Sequence, residues 1–226
     1  MVTPIEGRWS PDQAHAWAER SGWLVGCNFT PSTAGNQLEL WQRETFDPET
    51  IDRELGWAAG LGMNVIRLYL HDLMFEAEGE AFLDRVEQVV AMAHGHGIAT
   101  MPVLFDGVWH PEPELGPQPE PTPRLHNSVW VQSPGRPTMD DPTRWPRLEP
   151  YVVETLTRFA DDDRIVLWDL FNEPDQIGRD TILGGSREAK EASSAALVAE
   201  VFRWARSVAP SQPLSVGVWE YDDEHR

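Results

Sequence analysis

The segment Ile165-Val-Leu-Trp-Asp-Leu-Phe-Asn172-Glu173-Pro174-Asp175 sets an amide beside a carboxyl where an apolar run meets a proline. Such a run reads as a strand, and Pro174 ends it because proline has no N–H for the ladder. A carboxyl at a strand mouth, among apolar and aromatic neighbours, has its pKa raised by desolvation, as a general acid working near neutrality requires. Asn172 beside it can donate to a substrate hydroxyl. The same three residues also suit a plain turn into the next helix, and on this segment alone both readings stand.

Other polar side chains sit at or near the ends of apolar runs. Arg67 lies in the run Asn64–Leu70, with His71 and Asp72 after it, and Asp106 follows Ile98–Phe105. Two roles are open to Arg67: a cation that holds carboxylates ionised, or a buried partner for Asp169, which stands unexpectedly in an apolar run. His71, Asp72 and Asp106 are expected to hydrogen-bond substrate or to make structural polar contacts. No third ligand joins His71 and Asp72 at a recognisable spacing, so neither a metal site nor a cofactor is expected. Asn28, Asn36 and Trp41 follow the first run and are expected to line the same cleft, Trp41 as a stacking platform. Trp109 and Trp219, also near run ends, are further candidates for substrate contact. His94 and His96 flank Gly95 at a helix end and read as structural. The only lysine, Lys190, falls in a helical pattern, which leaves Schiff-base chemistry such as that of an aldolase without support.

A chain of 226 residues implies one large domain over 1–226, long enough to bury a core without disulfides or metal. The formal charge of −19 argues against nucleic acid and against anionic lipid surfaces, both of which recruit Lys/Arg patches. No apolar run approaches the ~18 residues of a membrane span. The beginning of the chain shows no charged-then-apolar leader, so a cytoplasmic location is expected. The single cysteine, Cys27, fits a reducing compartment without requiring one. Eleven tryptophans are unusual, and several lie in loops or at strand ends, where flat rings suit a sugar face. Trp17, Trp57 and Trp204 fall at helical apolar spacing and are expected in the core.

The chain alternates between two patterns. Trp23–Phe29, Asn64–Leu70, Ile98–Phe105, Ile165–Phe171 and Leu214–Trp219 read as parallel strands covered on both faces. Between them lie helical faces: Ile51, Leu55, Ala58 behind the cap Asp47-Pro48; Phe82, Val86, Val89, Val90, Ala93; Leu148, Val152, Leu156, Phe159; and Leu197, Val201, Trp204, Val208. Ser10-Pro11-Asp12-Gln13 resembles a capping box for a leading helix. Repeated βα units predict an α/β fold, either an open doubly wound sheet or a (β/α) TIM-type barrel. No Gly-rich phosphate loop follows any strand, which favours the barrel. Residues 107–147 break the rhythm with ten of the nineteen prolines, and in a barrel this long loop sits on the C-terminal face. Pro111–Pro123 reads as a flexible, partly polyproline spacer, and His126–Trp130 as structured.

Asn172-Glu173-Pro174 at the fourth strand resembles the acid/base signature of retaining glycoside hydrolases of the cellulase-like clan, which are (β/α)8 barrels. Leu24-Val-Gly-Cys-Asn-Phe29, Gly62-Met-Asn-Val-Ile-Arg67-Leu and Pro213-Leu-Ser-Val-Gly-Val-Trp219 are similar to that clan's first, second and fifth strands. The resemblance implies a β-linked glycan substrate and double displacement between two carboxyls about 5–5.5 Å apart. It makes Glu173 the acid/base, Asn172 the partner of the sugar 2-hydroxyl, and Arg67 the cation that orients the carboxylates. The clan's nucleophile comes from a seventh strand, whereas this chain reads as the first five of eight. Glu220 and Asp222, after the fifth, have nothing that marks them as nucleophiles. The expectation is the N-terminal portion of a barrel, with open sheet edges through which copies could associate. A carbohydrate-binding barrel without turnover is the competing reading.

Overall fold

The computed structural model describes residues 7–176 and 186–219. In chain order its elements are α1 (Pro11–Ser21), β1 (Gly26–Phe29), α2 (Gln37–Trp41), α3 (Pro48–Gly60), β2 (Val65–Tyr69), α4 (Asp72–Glu78) and α5 (Glu80–Gly95). They continue with β3 (Ala99–Asp106), α6 (Arg136–Met139), a 3-10 turn (Pro142–Arg147), α7 (Leu148–Arg158), β4 (Trp168–Asn172), α8 (Arg187–Val208) and β5 (Leu214–Gly217). The helices begin where their caps stand. Ser10 and Gln13 cap α1 reciprocally, and the Asp47 carboxylate accepts from the Thr50 N–H at 3.0 Å ahead of Pro48. Helix α8 stops at Ala209, in left-handed backbone just before Pro210.

All strand pairs are parallel, in the order β1-β2-β3-β4-β5. A doubly wound sheet reverses its strand order at a switch point, and this sheet does not. Each strand instead lies beside its sequence neighbour, as in the wall of a (β/α) barrel. The two sides of the wall differ. Ile66, Leu68, Leu104 and Leu170 face the helices and pack with Leu55, Val86, Val90, Val152 and Leu197 in the main core. Each such side chain taken fully out of water contributes about 1.5–3 kcal/mol. Tyr69, Val103 and Trp130 form a second, smaller cluster, with Trp109 packed against it.

Several expectations change. Strand β1 is not covered on both faces: Gly26, Cys27 and Asn28 are exposed, and β1 also leaves one edge unpaired at the end of the described sheet. Trp57 is 60% exposed, with the Arg53 guanidinium 5.2 Å from its ring centroid, so it is not core. Trp17 is half-buried, its indole N–H donating to the Val166 carbonyl at 3.0 Å. Trp204 is buried as expected. The short helices α2, α4 and α6 carry too little apolar periodicity to announce themselves. The stretch Pro111–Pro123 is pinned rather than a free spacer. Both ends of the Gln42 amide bond the Gly116 backbone, at 2.6 and 3.1 Å, and Asn36 donates to Gln118 at 2.8 Å. Among the described residues no helix is long and apolar enough to cross a membrane.

Candidate active site

Alternation along β2 sends Ile66 and Leu68 to the helices and leaves Arg67 and Tyr69 on the other side of the sheet. Arg67 gathers the site. Its Nε donates to Asp169 Oδ2 at 3.1 Å, and its Nη2 pairs with the same oxygen. Nη2 also donates to Asn172 Oδ1 at 2.9 Å, while Nη1 reaches the Tyr69 hydroxyl and, at 3.4 Å, Asn28 Oδ1. Asp169 and Asn172 are three positions apart, which strict alternation sends to opposite faces. The register of β4 against β5 shifts between them, and that irregularity turns both side chains to one guanidinium. Asp169 Oδ1 accepts from the backbone N–H groups of Phe171 (3.2 Å) and Gly217 (3.3 Å), so the buried carboxylate is satisfied at both oxygens.

Behind Asn172 lies Asp106. Asn172 Nδ2 donates to Asp106 Oδ1 at 2.9 Å; Val108 N–H and Gln37 Nε2 add bonds at 3.1 and 3.2 Å. Burial pushes the Asp106 carboxyl up to about 7, against the Asn172 and Val108 hydrogen bonds and the Arg67 charge; the Glu173 charge adds to the rise. Between roughly pH 4 and 7 folded Asp106 holds a proton that the unfolded chain has released, so the contribution of this group falls as pH rises through that window. Urea unfolding of the parent and of Asp106→Asn at pH 4.5 and 7.5 is expected to show the gap closing or reversing in favour of the variant at the higher pH. The change should be on the order of a few kcal/mol. A gap independent of pH would contradict the raised carboxyl.

Glu173 follows directly, half-buried and in left-handed backbone at φ 47°. Its N–H donates to the Gly217 carbonyl at 2.7 Å, which ties it to β5. Gly107 makes room for it: a Cβ at 107 would lie 2.6 Å from the Glu173 carbonyl oxygen. Burial raises the Glu173 carboxyl above its ordinary range, Arg67 pulls it down, and the charges of Asp175 and Asp169 push it up. Two residues on, the Asp175 carboxylate accepts the Trp219 backbone N–H at 2.9 and 3.1 Å, beside an indole that is 58% exposed. On the β3 side the Trp109 ring stands edge-on to Trp130 and His126, at 6.0 and 5.3 Å, and Trp130 meets Tyr69 at 5.0 Å.

Of the residues singled out in the sequence, Asn28, Arg67, Asp106, Asn172 and Asp169 share one hydrogen-bond network, and Glu173 adjoins it. For His71 and Asp72 the structural of their two readings holds, and the cleft reading of Trp41 is corrected. Trp41 is no platform: it is fully buried, stacks on Phe46, meets Phe82 edge-on, and donates to the Tyr69 carbonyl at 2.7 Å. His71 is fully buried and caps α4, its Nδ1 accepting from the Leu73 N–H at 3.2 Å. Asp72 is buried between the Ser133 hydroxyl at 2.8 Å and Arg147 at 3.0 Å. All three are consumed by structure because the chain turns into short helices at these points. Asn36 likewise caps α2. Asp106 is 1% exposed and touches the site through Asn172, not substrate. His96 pairs with Asp52 at 2.9 Å, in keeping with its structural reading. Glu220 and Asp222 lie outside the described residues. Tyr69, Gln37 and Trp130 were not singled out. Only Tyr69, two positions from Arg67 on one strand, carried a signal.

No family model matches the chain, and no curated protein does. Solved structures do. An exo-β-1,4-mannosidase from Opitutaceae bacterium strain TAV5 is 22% identical with a TM-score of 0.60, over 86% of this chain and 32% of that one. An endo-1,4-β-mannanase from Eisenia fetida is 12% identical with a TM-score of 0.58, over 89% and 60%. A β-mannanase from the blue mussel Mytilus edulis is 15% identical with a TM-score of 0.53, over 87% and 59%. The fold is that of part of a (β/α) barrel, as in these glycosidases. This chain thus spans about a third to three fifths of the length of those three structures. Such a barrel carries its chemistry at the C-terminal ends of its strands. Here Tyr69, Asp106, Asn172 and Gly217, the last residues of β2 to β5, all lie in or beside the Arg67 network. Two open cavities of about 250 and 410 Å³ lie elsewhere, on the helical side, lined by Trp145 with Trp204 and by Leu83 with Thr157.

Proposed function

We propose that this chain carries the acid/base part of a retaining glycosidase site acting on a β-linked glycan. The observation that supports it most is Glu173 itself, half-buried at the end of β4 with its carboxyl raised by burial, next to an Arg67–Asn172 pair. In the first step Glu173 gives its proton to the glycosidic oxygen while a second carboxylate attacks the anomeric carbon. In the second step the ionised Glu173 takes a proton from water, which displaces that carboxylate. Asn172 offers its free N–H to the sugar 2-hydroxyl, a contact that strengthens in the transition state. Arg67 pairs with Asp169 and holds the Asn172 amide in place. The attacking carboxylate belongs, by resemblance, to a seventh strand, beyond the five strands described. Exposed Trp219, whose backbone N–H bonds Asp175, and half-buried Trp109, just past the end of β3, carry rings that suit sugar faces. The mannosidase and mannanase neighbours favour a β-mannoside.

The test is turnover of β-mannobiose and 2,4-dinitrophenyl β-mannoside by the full-length natural form, with the first-formed anomer read by NMR. The β anomer is expected. Formation of the α anomer first, or no turnover of any β-glycoside, would overturn the reading. Saturable sugar binding without turnover would favour a carbohydrate-binding barrel instead.

A further inference from the structure

We propose that Asp106 is a positioning residue of this site, fixing which end of the Asn172 carboxamide faces Arg67 and which N–H is left for substrate. Its kinetic consequence rests on the glycosidase reading; the orientation itself does not.

A carboxamide can occupy the same space in two orientations related by a half-turn. With Nδ2 toward Asp106 Oδ1 at 2.9 Å and Oδ1 toward Arg67 Nη2 at 2.9 Å, each contact joins a donor to an acceptor. Turned over, the NH2 would face the guanidinium and the carbonyl would face a carboxyl oxygen. The two sides are not equally strict. The Arg67 side chain is 20% exposed, so water can stand in for a lost bond there. Asp106 is 1% exposed, and its Oδ1 also accepts the Val108 N–H at 3.1 Å, so that oxygen stays an acceptor even when Oδ2 carries the proton, and nothing on its side relieves a mispaired carbonyl.

Asp106 is itself firmly held. Its backbone exchanges hydrogen bonds with Ser133, N–H to carbonyl at 2.6 Å and the reverse at 3.0 Å. Val108 N–H and Gln37 Nε2 occupy its carboxyl from the loop and from α2, and Gln37 is braced in turn by the Val131 carbonyl at 3.2 Å. The charged or titratable groups acting on it are Arg67 and Tyr69 from β2 and Glu173 after β4. Its own three bonds all arrive as donors, so it has no direct cationic partner among the described residues. One N–H of Asn172 Nδ2 points at Asp106; the second is left for a ligand.

Two measurements decide it. The first is the side-chain NH2 pair of Asn172 in a ¹H–¹⁵N spectrum, assigned by its loss in Asn172→Asp. A downfield-shifted, slowly exchanging N–H on the Asp106 side is expected in the parent, and that protection should be lost in Asp106→Leu, which removes the acceptor. The parent signal needs no variant to fold: two N–H protons that both exchange fast there would overturn the proposal. The second is a kinetic cycle on a β-glycoside. Asp106→Leu, which removes the acceptor, is expected to lower kcat about 10- to 100-fold with KM within a few-fold. In an Asn172→Ala background the same change should cost nothing further, because Asp106 acts through that amide. An undiminished loss in that background would overturn the proposal. The ordered amide in a full-length protein without glycosidase activity would sink the proposed function and leave the positioning intact.

Discussion

Glu173→Ala is expected to lower turnover of an unactivated β-glycan by about 10²–10⁴-fold while sparing the glycosylation step on 2,4-dinitrophenyl glycosides. A sugar hydroxyl is a poor leaving group and departs only as it takes a proton. Dinitrophenolate leaves as the anion and needs none. The pH profile gives a second handle. The acid must be protonated to act, so the first step declines as pH rises through the Glu173 pKa. Burial and the Asp175 and Asp169 charges raise that pKa, so the alkaline limb should lie above that of an exposed glutamate. In the alanine variant this limb should vanish. Equal activity of parent and variant on both substrates would remove Glu173 from the mechanism.

Arg67→Met is expected to damage both stability and turnover, for separable reasons. Asp169 is 1% exposed, and Arg67 is its cationic partner. Removing one member of a buried pair costs about 3–5 kcal/mol, because the other is left as an uncompensated charge. Replacing both, as Arg67→Met with Asp169→Leu, should recover much of that loss. It should not recover activity, since Asn172, Asn28 and Tyr69 still lack the guanidinium that bonds them. Urea unfolding alongside kcat for the single and double variants checks this. A double variant as inactive as the single but no more stable would show that Asp169 is not the origin of the loss. Lysine is no substitute, because one ammonium cannot reach four partners in a plane.

The alternation of strands and helices was legible because parallel strands and amphipathic helices each leave their own period. Caps such as Ser10-Pro11 and Asp47-Pro48 marked boundaries closely. Glu173, Asn172 and Arg67 were legible from residue type and from the motif that joins them. What failed to show depends on chain path rather than composition. Trp41 and His71 looked available because they follow strands, yet Trp41 closes α2 and His71 caps α4, and those helices draw them inward. Trp57 kept helical spacing but stands on a helix face that nothing among the described residues covers. Asp169 and Asn172 converge on Arg67 only through a register shift, and no single-strand periodicity encodes that. Asp106 was placed at the right strand end, but only the fold shows that it faces an amide and not a sugar.

The left-handed backbone at Glu173 carries one more consequence. A residue with a Cβ costs about 1–2 kcal/mol in that region, where glycine sits at ease. The acid is therefore held under tension by β5 and by the space that Gly107 leaves, and the molecule gives up some robustness to aim it. A glycine there would relax the main chain and disarm the site at once, so selection for heat tolerance alone would drift toward losing the acid.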